Sequence, residues 1–159
     1  MNEELERITQ TLREKADAAG FAVLSVFGDE QTLPFSYTIG LARHGLPEII
    51  VPSLAPEQAQ AMLNDIGQRA IAGKLSLTPQ GPIEGLIFGQ APGAFLAVSA
   101  GKHAEMLRTV GPVLDLAPGQ WSAVQLIVRD QSGRFPWDAG CDPRARAAQD
   151  LGLVAFSLD

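Results

Sequence analysis

Pro34-Phe-Ser-Tyr-Thr-Ile-Gly40, continued by Leu41-Ala-Arg-His-Gly-Leu-Pro-Glu-Ile-Ile-Val51, decides the fold. Phe35, Tyr37 and Ile39 alternate with Ser36, Thr38 and Gly40 at the two-residue period of a strand, giving one apolar face and one hydroxylated face. Pro47 opens a second strand over Glu48 to Val51, and Pro52 blocks its extension. The connection between the two is too short for a crossover, so the strands are antiparallel neighbours.

Working outward, Leu5, Ile8, Leu12, Ala16 and Ala19 recur at steps of three and four, which predicts a helix over Asn2 to Ala19 stopped by Gly20. Its acidic start and the later Arg13 and Lys15 suit the helix dipole. Phe21 to Phe27 is almost wholly apolar and reads as a strand covered on both faces, in the middle of the sheet. On the other side, Pro56 fits the first turn of a second helix whose stripe is Ala59, Met62, Leu63, Ile66 and Ala70. Ile83 to Phe88 and Phe95 to Ser99 flank the turn signal Gly89 to Gly93 as a hairpin. A third helix is expected over Lys102 to Val110, ended by Gly111-Pro112, and a long strand over Trp121 to Arg129. Short connections between strands argue for an α+β fold. The expected architecture is a single domain over 1–159, with a mainly antiparallel sheet of about five to six strands packed by about three helices.

The blocks "FSYTIGL", "GLPEIIV" and "VQLIVRDQSGRFPWDAGCDP" follow one another in the order found in a bacterial family, domain of unknown function 4262, and the chain resembles it from about Gly20 to about Pro143. The resemblance implies no activity. It does mark Glu48, which lies in the "PE" of the second block, and it leaves the tail from Ala145 to Asp159 outside the pattern.

Composition narrows the classes. The 159 residues are 46% apolar and 19% charged, a balance that builds a core rather than a disordered chain. A net charge of −6, with no basic stripe interleaved with aromatics, argues against a nucleic-acid partner. Cys141 is the single cysteine, so no intrachain disulfide forms. The start lacks the apolar core of a signal peptide, and no run approaches a membrane span, so no membrane partner and a cytoplasmic location are expected. Two histidines and one cysteine make no metal-ligand spacing, and the glycine-rich segments lack the Lys-Ser/Thr of a phosphate cradle. The identity of any cofactor is left open by the sequence.

The residues that could carry chemistry are few. His44 and Glu48 could form an acid–base pair, although Gly45 and Pro47 between them rule out a helical face; the plainer reading is a loop histidine in water and a glutamate at an edge. Tyr37 shares its face with Phe35 and Ile39 and is expected in the core, leaving Ser36 and Thr38 on the other face, either bonded under a helix or open to a ligand. Arg134 and Trp137, in a loop rich in proline and glycine, read as a pocket lid or as a loop pinned by its rings. Cys141 reads as an inert thiol. Ser36, Tyr37, Thr38, His44, Glu48, Arg134 and Trp137 are therefore the ligand-binding candidates, with no catalytic residue assigned. They are expected to converge, with Glu48 paired to Arg134 and its pKa lowered.

Three functions remain open. The first is a binding module for a small molecule or protein partner. The second is an enzyme using His44 or His103 with Glu48, and the third is a structural homo-oligomer joined at a strand edge or helix stripe.

Overall fold

The structure, a computed structural model, describes residues 3–156. Its elements are α1 (Glu3–Ala19), β1 (Ala22–Val26), β2 (Phe35–Ile39), a 3-10 turn (Leu41–His44), β3 (Glu48–Pro52) and α2 (Pro56–Ile71), then β4 (Ile83–Ile87), β5 (Ala91–Ala97), α3 (Lys102–Met106), α4 (Val110–Leu114), a second 3-10 turn (Pro118–Gln120), β6 (Ala123–Val128) and α5 (Pro143–Ala147). The fold is α+β: one six-stranded sheet, ordered β1-β2-β3-β6-β5-β4, with every neighbouring pair antiparallel except β3–β6. No described helix is long and apolar enough to cross a membrane.

Alternation along the strands sorts the core onto two faces. Tyr37, Ile39, Ile50 and Ala123 face a layer that includes Leu12 of α1 and Val110, Val113 and Leu114 of α4. Ile49, Val51, Val124 and Leu126 face Ala59, Met62, Leu63 and Ile66 of α2, the stripe that the sequence spacing predicts.

Four expectations need correction. β1 lies at an edge, not in the middle. Its apolar run is explained by helices on both faces, with Ala22 packed in the α1 layer and Val23 in the α2 layer; coverage of faces says nothing about a strand's edge. The predicted helix over Lys102 to Val110 is two: α3 ends where Leu107 leaves helical geometry, and Val110 opens α4. Gly111 and Pro112 begin that second helix rather than ending the first, because a proline in a first turn forfeits no helical hydrogen bond. The hairpin turn is tighter than predicted, with β5 starting at Ala91 and Pro92 accommodated beside a register shift in β4. In α1 only Leu12 and Ala16 are buried, while Leu5 and Ile8 are 44% and 42% exposed. The last turn of α1 has no basic residue; Arg13 reaches across to the Pro112 and Val113 carbonyls instead. The predicted helix start at Asn2 lies outside the described residues.

Candidate functional site

Glu48 is fully buried at the start of β3. Gly40, with φ 132, turns the chain out of β2 so that three successive amides converge on this carboxylate. Oε2 accepts from Gly40 N at 2.9 Å and Ala42 N at 3.1 Å; Oε1 accepts from Leu41 N at 3.1 Å and from the Thr38 hydroxyl at 2.7 Å. The Thr38 oxygen in turn accepts from Ile49 N at 2.9 Å. Glu48 thus caps the 3-10 turn. A carboxylate has about four lone-pair positions, and all are occupied. Burial pushes the Glu48 carboxyl above its ordinary range, against the opposing pull of these hydrogen bonds.

Both histidines contact backbone carbonyls. His44 is exposed, and its Nε2 lies 3.2 Å from the Gly20 carbonyl. His103 is buried: its Nδ1 accepts from Gly101 N at 3.2 Å, which leaves Nε2 to donate to Pro118 O at 2.7 Å, and its ring meets Trp121 edge-on. That network assigns a neutral tautomer with both nitrogens in use.

At the far end of the β3–β6 pair the loop after β6 is organised by Asp130. Its Oδ1 accepts from Ser132 N, Ser132 Oγ and Arg134 N, and its Oδ2 from Asp142 N, all between 2.7 and 2.9 Å. These donors hold the Asp130 carboxyl well below the usual range. Arg134 donates to Ala139 O at 2.9 Å and lies over Gly140, where any side chain would collide with the guanidinium. Trp137 stacks on Phe135 at 4.9 Å, over Ala94, Leu96 and Ile127. Burial, with Asp130 beside it, pushes the Cys141 thiol up, which suits an unreactive group.

The expected convergence of these candidates is therefore not what the fold builds. β3 and β6 run parallel with Glu48 opposite Ala123, whereas the Arg134 loop begins only after Val128, about 16 Å further along the strands. Glu48 bonds to Thr38 and three amides rather than to Arg134, and its pKa moves up rather than down. Ser36, also buried, bonds Ser25 Oγ at 2.8 Å.

Of the candidates, Tyr37 alone lines the groove of about 640 Å³ that opens on the α1/α4 side of the sheet. Leu24, Val26 and Phe35 supply its floor, Met106 and Leu153 its walls, and Lys102, Glu105 and Arg108 its rim. The Tyr37 hydroxyl lies 2.7 Å from Thr109 Oγ1, and burial raises its pKa, so it stays protonated at neutral pH. Arg108 and Thr109 also line an adjoining groove of about 630 Å³ against α1. Sequence reasoning missed Arg108 and Thr109, although the predicted helix over Lys102 to Val110 contained both; for Leu151 and Leu153 the tail gave no signal. Among the described residues no group of three or more His, Cys, Asp or Glu is placed to hold a metal ion.

The fold and these sites define an α+β domain whose polar residues mostly tie loops to a sheet and which carries an apolar groove with a charged rim. The chain belongs to the family described as domain of unknown function (DUF4262), whose family model matches residues 15–142. No curated protein and no solved structure matches it significantly.

Proposed function

We propose that the protein is a binding module for a small amphipathic ligand, with an apolar body and an anionic head, taken up in the groove over Tyr37. The observation that carries this reading is the groove's composition: aliphatic side chains of β1 and α3, the Tyr37 phenol bonded to the Thr109 hydroxyl, and Arg108 on the rim with its Nε donating to the Glu105 carbonyl. Its volume of about 640 Å³ falls within the range typical of small-molecule sites. An extended chain would lie along Leu24 and Val26, and its carboxylate or equivalent acceptor would face Arg108. Binding is favoured over acid–base chemistry because Glu48 has no vacant acceptor position and both His103 nitrogens are hydrogen-bonded, while His44 is exposed with its Nε2 at the Gly20 carbonyl.

A thermal-shift series of straight-chain carboxylates, with alkylammonium ions of equal length as controls, tests the reading. Carboxylates at 100 times their Kd should raise the midpoint by roughly 5–10 °C, from about 2.7 kcal/mol of linkage. Met106→Trp, which fills the groove, should abolish the shift, and Arg108→Gln should weaken it. No shift with any chain length, or an equal shift in Met106→Trp, overturns the proposal.

A further inference from the structure

The two edges of the sheet are built differently. At β4, register slips between Ile83 and Ile87, Gly85 takes φ 73, and Glu84 is exposed. Arg69 of α2 donates to the Gly85 and Leu86 carbonyls, at 3.4 and 2.5 Å, so this edge is bent, charged and partly satisfied by a side chain. Each is a known way of keeping an edge strand from pairing with another chain.

β1 has none of these devices. It pairs with β2 in unbroken register over all five residues and, among the described residues, has no strand on its other side. From Phe21 to Gly28 the chain reads FAVLSVFG, without a charge or a proline. Val23, Leu24, Ser25 and Val26 are only partly buried, and Phe27, directly after them, is 82% exposed. The loop beyond is bonded to itself, through Asp29 to Gln31 and Thr32.

We infer that the free edge of β1 is a self-pairing surface, on which two copies of this chain join β1 to β1 in antiparallel register across a twofold axis. An antiparallel pair of identical strands is self-complementary, since each supplies the donors and acceptors that the other needs. Charge favours this edge over the β4 edge. Each copy bears a net −6, and the uncharged Phe21–Gly28 segment lets two copies meet without setting carboxylates face to face, which Glu84 would not allow at β4. Pairing also covers Phe27. A twofold axis normal to the sheet keeps like faces together, so the partner's β1 would extend the groove floor formed by Leu24 and Val26. A single strand pair with one flanking aromatic falls short of the roughly 1,200–2,000 Å² buried in stable complexes. The dimer is accordingly weak, with a Kd in the micromolar range or above.

Sedimentation of the full chain from about 1 to 500 μM tests this, that range bracketing a micromolar Kd. Wild type should shift from monomer toward dimer, Val26→Lys should weaken the dimer at least about tenfold, and Glu84→Val at the other edge should leave it unchanged. Should Val26→Lys not fold, amide exchange of wild type decides: protection of Ala22 to Val26 must rise with protein concentration. A monomer at every concentration, or a dimer with neither sensitivity to Val26→Lys nor β1 protection, overturns the inference. A monomer whose β1 becomes protected only on adding an unrelated extended peptide overturns it equally.

Discussion

Glu48 gathers four donors onto one carboxylate at the start of β3, and Asp130 gathers four at the loop that follows β6. Their surroundings nevertheless drive their acidities apart. Around Asp130, which is only partly buried, the donors dominate and its pKa falls; around Glu48, loss of water outweighs four hydrogen bonds and its pKa rises. Both lie in the blocks that carry the family resemblance, and both organise the loop next to a strand end. Carboxylates in such blocks thus act here as clamps, and a clamp's titration depends on burial more than on how many bonds it accepts.

Glu48→Ala should show the largest difference between the two. It strands two buried amides, the part-buried Ala42 amide and a hydroxyl, each unsatisfied buried group costing about 1–3 kcal/mol, so a loss of more than about 3 kcal/mol in urea unfolding is expected. A loss no larger than that of an exposed substitution would mean that the 3-10 turn rearranges freely. Thr38→Val keeps the shape but removes one donor to Glu48 and the acceptor for Ile49 N, which should cost about 1–3 kcal/mol by the same measurement.

A smaller effect appears on titration, and it has opposite signs at the two sites. Glu48 holds its proton to higher pH when folded, so its contribution to stability is greatest below the unfolded value near 4.3 and declines as pH rises through the folded pKa. Asp130 contributes fully above the unfolded value near 3.9 and loses that contribution as pH falls toward its folded pKa. Urea midpoints across pH 3–7 should therefore show the gap between wild type and Glu48→Gln narrowing with rising pH. The gap to Asp130→Asn should widen instead; the same trend in both would sink the comparison. The most local effect is that of Asp130→Asn on its own loop at neutral pH, where residues 131–141 should become sensitive to protease before the core does. Unchanged cleavage would show that the aromatic stack of Phe135 and Trp137 suffices to hold that loop.

Much of the fold was legible because periodicity reports burial. The β2–β3 antiparallel pair, the α2 stripe and β6 all follow from spacing, and Tyr37 faces the core as alternation required. Edge position was not legible: β1 is as apolar as an internal strand because helices cover both its faces. Nor was the parallel β3–β6 pair, since the partners meet only after a helix, a hairpin and two further short helices have intervened. At the site level, residue type pointed to Glu48, His44 and Arg134, yet each makes hydrogen bonds to backbone groups, which no pattern of residue types reveals. The groove residues Arg108 and Thr109 were hidden in a segment read as one helix, and Leu153 in a tail without periodicity.

The sheet's order has a kinetic consequence. β1, β2 and β3 follow one another as antiparallel neighbours, and so do β4, β5 and β6, so pairing within each half joins residues nearer in sequence than pairing between the halves does. The parallel seam between β3 and β6 joins residues far apart in the chain, and closing such a contact is slow. Until it closes, each half-sheet presents its most apolar strand, Ile49 to Val51 or Val124 to Val128, as an unpaired edge able to capture the same strand of another molecule. Refolding yield, rather than folded stability, is then what falls first as concentration rises.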